Sequence, residues 1–142
     1  MKYTIYNPDH GQIISVLEIS DELSFINLVD KLYIEGTYSS QDYYIDVDTK
    51  EPVSKGARPN VNATWSYENR TWVANTNKDI EDARTQRNIL LLAVDRVNPI
   101  WYGTLTQEQH AELATYRQAL LDVPAQTGFP NTINWPIKPS WL

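Results

Sequence analysis

Residues 80–99 read Ile80-Glu81-Asp82-Ala83-Arg84-Thr85-Gln86-Arg87-Asn88-Ile89-Leu90-Leu91-Leu92-Ala93-Val94-Asp95-Arg96-Val97-Asn98-Pro99, and this run decides what the chain builds. Ile80, Ala83, Arg87, Leu90, Val94 and Val97 are spaced by three and four, which places them on one face of an α-helix. Residues 89–94 are apolar all round, so the later turns are expected to be buried on more than one side. Upstream, Thr76 and Asp79 stand three apart, as in a capping box, and Asp79 could also cap directly. Glu81 and Asp82 would then complement the positive end of the helix dipole. Asn98-Pro99 stops the helix, because a residue before proline avoids the α region.

Downstream, Thr106 and Gln109 have the spacing of a reciprocal capping box and start a second helix. Leu113, Tyr116 and Leu120 form its inner stripe, and Pro124 ends it. The connection of about seven residues, which carries Trp101, is short enough for an antiparallel hairpin. Residues 124–142 hold four of the eight prolines and two of the five tryptophans. Such a tail cannot continue a helix or enter a central strand. It is expected to be extended, and its density of Phe129, Ile133, Trp135, Ile137 and Trp141 argues for packing on the helices or on a partner.

Upstream of Lys78 the sequence pattern changes. Seven of the nine tyrosines lie there, at 3, 6, 33, 38, 43, 44 and 67. Residues 2–6 read as a strand with Tyr3 and Ile5 on one face, residues 8–11 as a turn, and residues 12–19 as the returning strand of a hairpin. Residues 21–31 fit a short helix better than a strand, with Ser20 or Asp21 as its cap and Leu23, Phe25, Ile26, Leu28, Val29 and Leu32 as its apolar side. Strands follow at 32–38 and 43–47. A brief return strand begins near Val53 and is broken by Arg58-Pro59-Asn60. A hairpin at 64–67 and 71–74 turns through Glu68-Asn69-Arg70. The expected fold is therefore α+β. A small antiparallel β module (1–78) precedes an antiparallel helical hairpin with an extended Pro/Trp-rich C-terminal tail (79–142).

Composition narrows the chemistry. The chain has 142 residues, 18 acids, 12 Lys or Arg, two histidines and no cysteine. That removes disulfides, thiolate metal sites, iron–sulfur clusters and a cysteine nucleophile. A net charge of −6 argues against nucleic-acid binding. Five glycines form no phosphate-cradling loop. No apolar run approaches the ~20 residues that cross a bilayer. The start, Met1 to Pro8, lacks a signal-peptide core, which leads to the expectation of a cytoplasmic location.

Motifs for catalysis are equally sparse. Asp46-x-Asp48-x-Lys50 has the start of a calcium loop, but Glu51 and Ala57 stand where an EF-hand needs Gly and a bidentate Glu. A solvated turn explains it. Asp9-His10 could be half of an acid–base pair in a polar turn, and His110 is expected on the wet face of the second helix. No hydrolase elbow, P-loop or dinucleotide fingerprint occurs. Asn62-Ala63-Thr64 and Asn69-Arg70-Thr71 match the glycosylation pattern, which carries no meaning without secretion. No enzyme activity, metal or cofactor is expected. Tyr43, Tyr44, Trp65, Tyr67 and Trp72 fill a thin core or cover an interface, with a sugar-stacking platform as the alternative. Arg84, Arg87, Arg96 and Arg117 either pair with acids such as Asp95 or Asp122 or line an exposed face.

One resemblance covers residues 80–139. Arg84-x-x-Arg87-Asn88-x-Leu90-Leu91-x-x-x-Asp95, Leu105-Thr106, Tyr116-Arg117-Gln118-Ala119-Leu120-x-Asp122-Val123-Pro124, Gly128-Phe129-Pro130, Trp135-Pro136 and Pro139 together resemble the phage tail assembly chaperone family. The N-terminal half is similar to the β-rich segment that often precedes this domain. Arg96 follows Asp95 where the family often has Trp, and Leu121 stands where it often has Arg. The resemblance implies a non-enzymatic bacteriophage tail protein that binds the tail fibre or another tail component. It would act as an assembly factor in the host cytoplasm or as an accessory subunit of the virion tail, in a homo- or hetero-oligomer. The expected contact residues are Arg87, Tyr116, Arg117, Phe129, Trp135 and Trp141. A carbohydrate-binding module of a host-recognition apparatus is the alternative.

Overall fold

The computed structural model describes residues 1–20 and 28–142. The chain divides into two compact units, Met1–Ala74 and Asn75–Leu142.

The first unit is built on β1 (Lys2–Tyr6), which lies between β2 (Ile13–Glu18) and β3 (Tyr33–Glu35) and is antiparallel to both. β1 and β2 form the expected hairpin, with Tyr3 opposite Leu17 and an irregularity after Ile5. Tyr3 and Ile5 share a face and pack with Ile19 and Leu28. The opposite face is buried as well, which alternation did not indicate. Tyr6 packs with Ile13 and Ile45. Thr4 is fully buried, and its hydroxyl donates to the Gly36 carbonyl at 2.9 Å and accepts from the Tyr38 amide at 3.2 Å. A threonine can sit inside because both roles of its hydroxyl are met. β3 is shorter than the expected 32–38 strand, since the chain turns at Gly36 with φ +113°. The helix expected at 21–31 lies largely outside the described residues. At its end Leu28 is buried, whereas Val29 and Leu32 are exposed.

Two small hairpins complete the unit. β4 (Tyr43–Ile45) pairs with β5 (Pro52–Ser54), and β6 (Thr64–Ser66) with β7 (Thr71–Val73), setting Trp65 opposite Trp72. Asp46 closes the first turn as a helix cap would. Its carboxylate accepts from the amides of Asp48 and Thr49 at 3.0 and 3.1 Å. Arg70 adds an ion pair at 2.8 Å. The two amides, and then the guanidinium, hold this carboxyl below its usual pKa. The motif is thus a turn with all its bonds internal. β4 is tied to the first hairpin where the Ile45 amide donates to the Gly11 carbonyl at 2.9 Å.

The second unit opens with α1 (Thr76–Asp95). Its cap is Asn75, whose side chain accepts from the Lys78 amide at 3.1 Å, not Thr76 or Asp79. Asparagine is as good a cap as serine or aspartate, and it moves the start one turn upstream of the acids. Asp79 is consequently buried within the first turn. Glu81 and Asp82 fall in the second, where Lys78 bridges both. Ile80, Ala83, Arg87, Leu90 and Val94 of the predicted stripe are buried or half-buried on α1, but the helix ends at Asp95, so the half-buried Val97 lies beyond it and the stop comes before Asn98-Pro99. The expectation of burial on more than one side is not met, because Ile89 is 65% exposed and Leu92 46%. A hairpin supplies only one packing partner, so only one flank of the apolar run is covered.

The connection contains a helical turn, α2 (Pro99–Tyr102), capped by Asn98 through the amides of Ile100 and Trp101. Thus Asn98-Pro99 both separates α1 and starts α2, with proline at the first helical position, where its missing N–H costs nothing. α3 (Gln107–Leu121) begins with the expected reciprocal capping box of Thr106 and Gln109, at 3.2 and 2.9 Å. Leu113, Tyr116 and Leu120 meet Leu91 and Val94 in one core, so α1 and α3 pack on each other. The tail is wound more tightly than expected at first. A 3-10 turn at Val123–Ala125 leads into turns up to residue 132, and residues 133–139 follow without regular structure.

Candidate functional site

The second unit carries a groove of about 820 Å³ between α3 and the C-terminal segment. Its helix side is Ala111, Thr115 and Ala119, successive turns of one face, with Tyr116 at the base and Pro136 and Ile137 opposite. Small residues every fourth position make the helix wall shallow. Ile137, at 92% exposed, stands on the rim with nothing over it. Both rim charges are engaged: the Trp141 indole donates to Glu112, and Lys138 Nζ donates to the Leu142 carbonyl at 2.9 Å.

The C-terminal segment is held there by its own bonds. Gln126 and Asn134 exchange two hydrogen bonds, at 2.9 and 2.8 Å, across the intervening loop. Gly128 is required inside that loop, since a Cβ would come within 2.2 Å of the Thr132 carbonyl. The Phe129–Pro130 peptide is cis. Trp141 and Leu142 pack against the helical core, and the Trp141 ring lies 6.4 Å from Trp101.

The six expected contact residues are not all together. Tyr116, 6% exposed, belongs to the core and reaches the groove only as its base. Trp141 joins the same core. Arg117, on the turn beside Tyr116, bonds Asp95 through Nε at 2.7 Å, which ties α3 to the end of α1 and raises its pKa further. Arg87 spends Nε and Nη2 on the Asn88 side chain, at 3.1 and 2.8 Å. Phe129 and Trp135 are half-buried and do not line the groove. Ile137 and the Ala111–Ala119 face were not singled out from sequence. The signal was a four-residue spacing of small residues, which reads as filler until something lies beside it.

The remaining candidates are structural. His110 is half-buried rather than on a wet face. Its ring stacks on Tyr102 at 4.3 Å, and Nε2 meets the Tyr102 carbonyl at 2.8 Å. His10 tilts against Tyr67 at 5.2 Å. Among the described residues no three His, Asp or Glu gather to hold a metal. No helix among them is long and apolar enough to cross a membrane. The aromatics of the first unit spend their faces on one another, with Trp65 against Tyr44 at 5.6 Å and edge-on to Trp72 at 5.4 Å.

Residues 80–140 match the phage tail assembly chaperone protein family. The chaperone-family segment therefore takes in the stripe of α1 from Ile80, all of α3 and the groove. No curated protein and no solved structure matches the chain. The string Tyr116-Arg117-Gln118-Ala119-Leu120 of this chaperone-family segment has a physical division of labour. Tyr116 and Leu120 point to the core, Arg117 bonds Asp95, Gln118 bonds Asp122 at 2.9 Å, and Ala119 lines the groove.

Proposed function

We propose that this chain is a non-enzymatic tail protein of a bacteriophage that binds the tail fibre or an adjoining tail component through its second unit. The observation that carries this reading is the apolar groove lying inside the segment that matches the chaperone family. Apolar side chains left in water on a small unit favour association, because each Å² withdrawn from water contributes roughly 25 cal/mol. Ile137 on the rim and Ile89 and Leu92 on the uncovered flank of α1 are such side chains. Phe129, Trp135 and Arg87 lie outside the groove and extend the proposed surface; Trp141 and Tyr116 shape it from below. Tryptophan and arginine are the residue types that most often dominate a protein interface.

Co-expression with the tail-fibre protein of the same phage, followed by capture, tests the reading. Capture is expected for the wild type and is expected to be lost in Ile137→Glu with the helical circular dichroism unchanged. Wild-type chain that captures no tail protein would refute it. Mass spectrometry of purified virions then separates an assembly factor, absent from particles, from an accessory subunit that stays.

A further inference from the structure

The first unit contains a cleft of about 460 Å³ that the tail-protein reading does not use, bordered by Lys55, Arg58, Trp65 and Trp72 with Ser40 and Asp42. Its donors are unusually short of acceptors. Lys55 is only 8% exposed, yet no carboxylate among the described residues lies within ion-pair distance of its Nζ. Two hydrogen bonds, to the Ser40 carbonyl at 2.6 Å and the Tyr67 hydroxyl at 3.2 Å, use two of the three N–H groups. The ammonium otherwise faces the rings of Trp65 and Tyr67, at 5.5 and 5.0 Å. Arg58 bonds the Ala63 and Val61 carbonyls through Nε and Nη2, which leaves Nη1, and its guanidinium lies 5.6 Å over Trp72. The buried indole N–H of Trp65 meets no acceptor. Burying a cation whose facing carboxylate, Asp42, stays beyond ion-pair distance is costly, and so is an unmet buried donor.

We infer that this cleft is a binding site for a carboxylated sugar of the hexuronic acid type, whose carboxylate sits between Lys55 and Arg58. A ligand carboxylate supplies a countercharge at hydrogen-bond distance and two acceptor oxygens. The other wall is complementary to hydroxyls. Asp42 is exposed at the cleft and acts on Lys55 only at longer range, so its carboxylate is available to accept from a sugar hydroxyl. Ser40 and Gln41 add polar edges. A cleft of roughly 300–1,000 Å³ is the usual size for a small ligand. A sugar carries several hydroxyls around the same ring as its carboxylate, so Asp42 meets a donor once the carboxylate is bound. The sugar is held by charge and hydrogen bonds rather than by stacking, since protein groups already lie over the indole faces.

The test is a titration of the full chain with sodium glucuronate, followed by the indole N–H resonances of Trp65 and Trp72, with glucose and sodium acetate in parallel. Glucuronate is expected to shift both resonances and to bind at least about tenfold more tightly than either control. Lys55→Met is expected to abolish the shifts. Asp42→Ala, at an exposed position, is expected to bring glucuronate down to the level of acetate with the fold retained by circular dichroism. No shift with glucuronate, acetate binding equally well, or a folded Lys55→Met that binds normally would each overturn the proposal. If Lys55→Met does not fold, Asp42→Ala and the three-ligand series decide. Unaltered glucuronate binding in Asp42→Ala would then overturn it.

Discussion

Gly11 shows how one residue can hold a unit together. Its φ of +75° favours glycine, and a Cβ would come within 1.7 Å of the Ile45 carbonyl oxygen. The conformation disfavours a side chain and the close approach forbids one. Gly11→Ala is expected to cost at least about 3 kcal/mol in urea unfolding, because the hydrogen bond from the Ile45 amide would have to part. Asp46 makes a prediction with a sign in pH. Its carboxyl is held low by two backbone amides and Arg70, so its charged form favours the folded state. That advantage is complete above the unfolded pKa, about 4, and is lost as pH falls through the lower folded value. Asp46→Ala should therefore melt below the wild type at pH 7, with the gap closing in strong acid. A gap that persists in acid would mean the turn is held by something other than the charge. At this scale the sequence was partly legible. Gly11 was readable as a turn residue, but its contact with Ile45 joins positions 34 apart in the chain, and local pattern carries no such information.

At the scale of elements, legibility followed how local the cause was. The capping box of Thr106 and Gln109 needs only neighbours, and it formed as read. Thr106→Ala should cost about 0.5–2 kcal/mol, measured by thermal unfolding. The inner stripe of α3 was also readable, because a 3.6-residue period fixes a face. Leu120, fully buried in that stripe, should cost about 2–5 kcal/mol on truncation to alanine. The start of α1 was misplaced because Asn75, Thr76 and Asp79 all belong to residue types that cap, and spacing alone does not choose among them. α2 is a single helical turn, too short to show a period. The burial of residues 89–94 was overestimated for a different reason. Hydrophobicity says that a face would rather be covered, and only the number of packing elements says whether it is.

For the whole molecule, the two units differ in how they are held. Among the described residues the first has three small sheets, linked by bonds such as those of the Ile45 amide to the Gly11 carbonyl, Arg70 to Asp46 and the Trp72 indole N–H to the Lys55 carbonyl. The second has one apolar core between two helices, closed by Trp141 and Leu142. The tail's role as packing material was readable from its aromatics, but which tryptophan packs was not. Trp141 lies on the core and Trp135 does not belong to it. Trp141→Ala is accordingly expected to lower the unfolding midpoint more than Trp135→Ala. The opposite order would place the tail differently. The groove was illegible because its walls lie on α3 and on a segment some twenty residues later, and neither wall is distinctive alone. Finally, the edge-on Trp65–Trp72 pair, with centroids 5.4 Å apart, has a use outside energetics. Two indoles this close share their electronic excitation. The first unit therefore carries a label-free optical signature, a split circular dichroism band that should collapse in Trp72→Phe. The integrity of its cleft can be followed by light alone while the helical unit is altered at will.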